Sequence, residues 1–185
     1  MSALGNVRRA DKAMSEAETR ALLERGCVGR LATADAAGQP YVTPLLYVLA
    51  GGDIWLHNAA TPGHLRANIE ANPRACFEVD EPGPVFPYGR FACDTSIAYE
   101  SAIAFGRIRV VDQRAAKEAF CRALMAKYAP DVVGRPAGFF PRLGQIAVYA
   151  LALERLSGKR TPLPALGEQW PALDRSATPD AKPPR

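Results

Sequence analysis

The sequence predicts a mainly β protein, a closed or split antiparallel barrel of six strands with short helices between them. Six segments are rich in aliphatic, β-branched or aromatic residues, and turn residues or short amphipathic stretches separate them. The links between the first strands are too short for the crossover helices of a parallel sheet. Several strands, such as IAVYALAL, are apolar on both faces, which favours a barrel over an open sheet.

A helix and three strands are predicted in the first third of the chain. Ser15 and Glu18 form a capping box and Gly26 supplies a stop, so a helix should cover residues 16–25. The segments CVGRLATA and PYVTPLLYVLA then form a hairpin around DAAGQ. A tight turn at Gly51 and Gly52 leads into IWLHN, which completes a three-stranded meander.

The middle of the chain predicts a short helix and a fourth strand. The helix should start at Pro62, with Thr61 as its N-cap, and end at Ala71. The strand RACFEVDE follows, and the proline-rich PGPVFPYG after it should be neither helix nor central strand.

Two long strands and a helix complete the predicted barrel. The strand Ala98–Val111 contains Gly106, which indicates a bulge, and a helix capped by Asp112 should run to Tyr128. QIAVYALALERL is the last strand. Because it is apolar on both faces it needs cover on both sides, and a second subunit is the simplest source.

Length and composition indicate one domain and a tail. The 185 residues are 48% apolar, which is enough for one core. We predict a domain over residues 1–159 and a flexible tail over residues 160–185, since six of the 16 prolines lie at or beyond Pro162. No apolar run approaches the roughly 18 residues that span a bilayer, and the N-terminus lacks a secretory signal. We therefore expect a cytoplasmic protein without membrane contact.

The net charge of +4 belongs to the two ends of the chain. Residues 1–30 hold six basic and four acidic residues, and residues 157–185 hold five and three. Residues 31–156 hold twelve of each and are neutral. This distribution argues against nucleic-acid binding through a basic domain surface.

The cysteines and histidines do not predict a structural metal site. The four cysteines show no CxxC spacing, and the chain has only two histidines. We therefore expect reduced thiols at Cys27, Cys76, Cys93 and Cys121.

HNAATPGHLRAN, from His57 to Asn68, is the segment most suggestive of chemistry. It leaves a strand and enters a helix, where free backbone N–H groups and the helix dipole suit a phosphate. His57, Asn58, His64 and Arg66 add side-chain donors, although ordinary capping and a solvated helix face explain the same pattern. Neither a P-loop nor a GxGxxG fingerprint occurs in the chain.

Six segments together resemble one known family. They are RRADKAM, GRLAT, PYVTPLLYV, IWLHNAATPGHLRANIEANPRACFEV, YESAIAFGRIRVV and LERLSGK, in that order from Arg8 to Lys159. The chain resembles the FMN-binding split-barrel superfamily, and within it the Nim-like, nitroimidazole-resistance branch of pyridoxamine 5'-phosphate oxidase-related proteins.

The resemblance implies a homodimer of six-stranded split barrels with flavin at the subunit interface. FMN is the implied cofactor, and FAD, deazaflavin and haem are alternatives. The implied phosphate contacts are His57, Asn58, Ala59, Gly63, His64 and Arg66. The implied contacts of the isoalloxazine ring are Thr43, Pro44, Leu45 and Ser101, the last of them toward the partner subunit's flavin.

Two departures from the family pattern bear on function. Many relatives carry a basic residue where this chain has Leu65, and the arginine here is one place later, at Arg66. The arginine-containing C-terminal segment by which the oxidase itself recognises pyridoxal has no counterpart, which disfavours vitamin B6 oxidation.

Two functions remain open from the sequence. The first is a flavin-dependent oxidoreductase that reduces a small electron-poor substrate such as a nitroaromatic, with no side chain assigned as catalytic. The second is a haem- or flavin-binding protein without turnover, a redox or stress-associated module in which His57 or His64 binds the haem iron or packs against it.

Overall fold

The computed structural model describes residues 7–88, 93–131, 134, 136 and 138–169. Among these residues there are eight strands and three α-helices. The strands are β1 Ala13–Met14, β2 Gly29–Ala34, β3 Pro40–Leu45, β4 Tyr47–Ala50, β5 Asp53–Ala59, β6 Arg74–Pro87, β7 Thr95–Val111 and β8 Ile146–Thr161. The helices are α1 Glu16–Arg25, α2 His64–Ala71 and α3 Arg114–Tyr128.

The strands form one antiparallel sheet in the order β3-β2-β6-β7-β8-β5-β4, with β1 also paired to β8. The mainly β, antiparallel fold with short helices is confirmed, but the described residues contain eight strands instead of six. One extra strand is the two-residue β1. The other arises because the predicted second strand divides at Leu46 into β3, which pairs with β2, and β4, which pairs with β5. The three-stranded meander was therefore a wrong prediction.

The capping box of α1 is confirmed. The Glu18 backbone N–H donates to Ser15 Oγ at 3.3 Å, and the Ser15 backbone N–H donates to Glu18 Oε2 at 2.7 Å. These two bonds satisfy free backbone donors at the helix start, so the predicted bounds match the observed ones.

The predicted caps of the other two helices were wrong. The N-cap of α2 is Gly63 instead of Thr61, and that of α3 is Gln113 instead of Asp112. At neither helix start does the N-cap side chain accept a hydrogen bond from the first backbone N–H groups.

The proline-rich segment after the fourth predicted strand is neither helix nor central strand, as predicted, although it extends β6 as a strand with one neighbour. Strand β6 continues to Pro87 and pairs with β7, with a register shift between Pro82 and Val85. Strand β2 pairs with β6 only at residues 76–78, so the prolines lie where β6 has one neighbouring strand. A proline is tolerated there because its missing N–H breaks no second ladder.

The predicted bulge at Gly106 is confirmed by a register shift of the β7–β8 ladder between Phe105 and Gly106. A Cβ atom at Gly106 would lie 1.9 Å from the carbonyl oxygen of Ala152. Glycine is therefore required by the close approach of the two strands.

Both faces of the first half of β8 are covered within the chain. Tyr149 and Leu151 lie in the main core, whereas Val148 and Ala150 pack in a second cluster with Phe120 of α3. One face of that helix thus packs against β8. It supplies the cover for which the sequence argument invoked a second subunit.

The last strand ends at Thr161, and a short 3-10 turn follows at Leu166–Glu168. Residues 170–185 of the predicted tail lie outside the described residues. In the part of the chain that the structure describes, no helix is both long enough and apolar enough to cross a membrane.

Candidate functional site

The start of α2 is open, as the sequence suggested for a phosphate site. Gly63 precedes the helix, no side chain caps it, and a Cβ atom placed on Gly63 would have no heavy atom within 4 Å. The backbone N–H groups of the first turn have no acceptor within the helix. They and the helix dipole favour an anion at this position.

A polar cluster lies beside this helix start. The Tyr149 hydroxyl donates to Asn58 Oδ1 at 3.1 Å. Burial raises the pKa of Tyr149, while the nearby Arg66 guanidinium and Asn58 act in the opposite direction. Arg66 Nε also donates to Glu70 Oε1 at 2.5 Å. The cluster of Asn58, Tyr149, Arg66 and Glu70 thus places one guanidinium at the start of α2.

Leu65 and Arg66, at the start of α2, face in different directions. Leu65 is 4% exposed and belongs to the main core, whereas the Arg66 side chain is 30% exposed. Because successive helical residues are about 100° apart, only the second of them lies toward solvent here.

Strand β3 presents two of its predicted site residues on the side of α2. Thr43 and Leu45 lie on the same face of β3 as Tyr41, whose ring centroid lies 5.6 Å from that of His64. Thr43 Oγ1 is buried and has no hydrogen-bond partner. A buried hydroxyl without a partner is costly, so this atom is suited to a ligand that bonds to it.

His57 and Asn58 are consecutive residues of β5. Side chains alternate along a strand, so these neighbours lie on opposite faces. The His57 ring centroid is 5.4 Å from that of Phe120 on α3, and its Nδ1 atom is buried without a partner. Burial lowers the pKa of His57, which favours the neutral form of the ring. The structure therefore does not bring His57 to the start of α2. Ala59 follows the same alternation and lies on the His57 side.

His57 instead lines a cavity of about 520 Å³ between β5, α3 and the segment before β8. The walls are largely apolar and include Phe139, Phe140, Leu143 and Ile146, with Arg142 as the one charged residue among those described. This cavity and the start of α2 are two separate sites.

Two further predicted residues, Pro44 and Ser101, lie on a third surface. We call it the outer face: the side of β3, β2, β6, β7 and the second half of β8 that is opposite the main core. The strand registers place Val42, Ala32, Cys76 and Phe105 in one row across it. Val42 is 56% exposed. Ser101 therefore cannot contact a ligand at the α2 start of its own chain through the sheet.

Tyr149 and Tyr41 were not predicted as site residues. Both were treated only as strand residues, because a tyrosine in an apolar run gives no sign of where its hydroxyl points. The alternation of β5 was available in the sequence and could have separated His57 from Asn58. The described residues contain no group of three or more His, Cys, Asp or Glu side chains that could hold a metal ion.

A family model described as pyridoxamine 5'-phosphate oxidase matches residues 15–160. The chain belongs to the pyridoxamine 5'-phosphate oxidase-like family. The match begins at the capping box and ends in the last strand, so it includes both β3 and the start of α2. No curated protein matches the chain by sequence.

Solved structures share the fold at low identity. A flavocytochrome from Azotobacter vinelandii is 20% identical, with a TM-score of 0.74 over 99% of this chain and 94% of that one. A FAD- and haem-binding protein from Mycobacterium smegmatis is 23% identical, with a TM-score of 0.70 over 83% of this chain and 77% of that one. A candidate 5-nitroimidazole resistance protein from Bacteroides thetaiotaomicron is 17% identical, with a TM-score of 0.66 over 80% and 86%.

Proposed function

We propose that this protein binds a flavin, with the phosphate at the start of α2 and the ring beside β3. The buried Thr43 Oγ1 without a partner, on the same side of the sheet as the uncapped helix, is the observation that carries the proposal. Family membership and the flavin-binding proteins among the similar structures support it. FMN needs only this one phosphate site, so it is the cofactor that we propose.

The residues present fit a flavin. The phosphate would accept bonds from the first backbone N–H groups of α2 and from Arg66, with His64 and Asn58 beside it. Thr43 would bond to a polar edge of the ring, and Leu45 would shield it from water. A bound flavin supplies two-electron redox chemistry. No side chain at the site is assigned as an acid, base or nucleophile.

We further propose that a second copy of the chain covers the outer face. The row of Val42, Ala32, Cys76 and Phe105 is apolar and partly exposed, and such a surface is typical of an interface. In a homodimer of this kind, Pro44 and Ser101 would be next to the flavin of the partner. The substrate proposed is a small electron-poor molecule, such as a nitroaromatic.

The cofactor proposal is tested by the visible spectrum of the purified protein and the mass of the molecule released on denaturation. Absorbance near that of a flavin and the mass of FMN are expected. A protein that stays colourless and gains no absorbance with added FMN, FAD or deazaflavin would contradict the proposal.

Arg66→Ala tests the phosphate site. Loss of a charge-assisted bond should weaken FMN binding by about 1.5 to 3 kcal/mol, roughly tenfold to a hundredfold. Arg20→Ala is the matched control, because Arg20 forms the same kind of i,i+4 pair with Glu16, at 2.9 Å on α1. Equal FMN affinity in both variants would exclude Arg66 as a ligand.

Turnover and assembly require separate measurements. The photoreduced flavoprotein should be reoxidised by a nitrofuran under anaerobic conditions; absence of reoxidation would favour a flavin carrier.

Val42→Asp should convert a dimer into monomers in sedimentation, whereas Leu166→Asp, at a residue that is 79% exposed in the 3-10 turn, should not. A wild-type monomer would exclude the homodimer.

A second candidate function is haem binding at the His57 cavity. The neutral, partly buried imidazole on an apolar cavity is the environment of a haem ligand, and Arg142 could pair with a propionate. Two of the similar structures are a flavocytochrome and a FAD- and haem-binding protein. Added haemin should give a Soret band that is lost in His57→Ala and kept in His64→Ala. An unchanged band in His57→Ala would exclude this site.

A further inference from the structure

Helix α2 carries its arginine and its glutamate in the order that a helix dipole disfavours. Arg66 is in the first turn of the helix and Glu70 is its last residue but one. The positive end of the dipole lies at the helix start, so carboxylates are favoured in the first turn and basic groups in the last. Helix α1 follows this rule, with Glu16 and Glu18 in its first turn and Arg25 in its last. The reversed order in α2 therefore does not stabilise the helix.

The ion pair that these two residues form does not compensate for their order. Arg66 Nε donates to Glu70 Oε1 at 2.5 Å, but 30% of the arginine side chain and 56% of the glutamate side chain are exposed. An exposed i,i+4 pair contributes little to stability, and less when the basic residue comes first. The arrangement suits an anion site instead, because it brings a cation to the helix start.

Glu70 limits the positive charge that this site offers to a phosphate. It lies about 6 Å farther along the helix axis than Arg66, so it holds the guanidinium toward the body of the helix. Its carboxylate also cancels the charge of Arg66, and the pair as a whole is neutral. Burial is the main cause of the raised pKa of Tyr149, and Glu70 raises this pKa further. The negative charge of Glu70 thus extends to the polar cluster beside the helix start.

We propose that Glu70 determines how tightly this site binds a phosphate, because it competes with the phosphate for Arg66. In the free protein Glu70 is a partner of the guanidinium. A phosphate monoester, which carries about two negative charges, replaces it on binding. The exchange is feasible because an exposed pair is weak. This inference rests on the proposed function, since it requires the flavin phosphate to lie at the start of α2.

Glu70→Gln tests the competition, because it removes the negative charge and keeps the length of the side chain. Fluorescence titration of the full-length protein, freed of bound flavin, should show roughly threefold to fivefold tighter binding of FMN at low salt. Riboflavin lacks the phosphate, so its affinity should not change. The gain for FMN should shrink at high salt, which screens exposed charges.

Two controls separate this role from a general effect of the substitution. Glu118→Gln is the matched variant, because Glu118 forms the same kind of i,i+4 pair with Arg114, at 2.9 Å on α3. It should leave the affinity for both flavins unchanged. The second control is Glu70→Gln made together with Arg66→Ala. There the gain for FMN should be largely lost, because Glu70 acts through Arg66.

Tighter binding that is confined to FMN and depends on Arg66 would support the proposal. Unchanged or weaker FMN binding by Glu70→Gln, or an equal gain with and without Arg66, would overturn the role of Glu70 and leave the flavin proposal standing. A wild-type protein that binds neither FMN nor riboflavin would refute the flavin proposal, and the role of Glu70 with it.

Discussion

Replacing Thr43 by valine should have opposite effects on the free protein and on its complex. In the free protein Thr43 Oγ1 is buried without a partner, and a group of this kind costs about 1 to 3 kcal/mol. Valine has nearly the same shape and no hydroxyl. We expect Thr43→Val to raise the free energy of unfolding of the flavin-free protein by about 1 kcal/mol, or about 2–4 °C in Tm for a chain of this size.

The same substitution should weaken FMN binding. Loss of one hydrogen bond between neutral groups corresponds to about 1 kcal/mol, roughly a fivefold increase in Kd. Chemical unfolding of the flavin-free protein and fluorescence titration with FMN measure the two effects separately. The opposite signs are the diagnostic feature, because a general packing defect would lower both stability and affinity.

Thr33→Val is the matched control on the neighbouring strand. Thr33 Oγ1 accepts a hydrogen bond from Asn68 Nδ2 at 3.2 Å, and both residues are buried. This variant should lose about 1 to 3 kcal/mol of stability because it leaves a buried amide donor without that bond. A Thr43→Val protein that is less stable without flavin, or that binds FMN as tightly as the wild type, would refute the role assigned to Thr43.

Three further predictions follow from the fold. Burial lowers the pKa of His57, so the unfolded chain binds a proton at higher pH than the folded one; stability should fall as the pH drops below about 6.5, and urea titrations of His57→Phe should have a flatter pH dependence. Gly106→Ala should unfold or strongly destabilise the protein, because the new methyl group would overlap the Ala152 carbonyl oxygen, as thermal melts would reveal. Tyr128→Phe should cost about 1 to 3 kcal/mol in denaturant unfolding, since the Tyr128 hydroxyl accepts from the Tyr47 N–H at 3.1 Å and lies 2.8 Å from the Tyr47 carbonyl oxygen.

Local signals in the sequence predicted the elements that depend on local chemistry. The bounds of α1 follow from the Ser15–Glu18 box, whose bonds close within one turn of chain. The bulge at Gly106 could also be predicted, because a glycine inside an apolar strand has few other roles. In both places the sequence signal is a single residue or a pair three residues apart, so it can be recognised without knowing the partner strand.

Features that depend on distant contacts were not predicted correctly. Thr61 has a side chain that can cap a helix, yet α2 begins only after Gly63. The path of the chain from β5 to α2 cannot be predicted from the residues near Thr61. The break at Leu46 is also not visible locally, since the pairing partners of β3 and β4 lie in different parts of the sequence. The resemblance named the residues of the candidate site but not the faces on which they lie.

The alternation along β5 restricts how the length of this chain can change. A single residue inserted between Ile54 and His57 would move His57 to the side of α2 and Asn58 to the side of α3. The His57 cavity and the start of α2 would then each have the wrong side chain, although the composition would hardly change. The turn at Gly51 and Gly52, with φ values of 60° and 86° and open space around both Cα atoms, lies outside the strand. Length variation among natural homologues should therefore be found at this turn and be absent from β5.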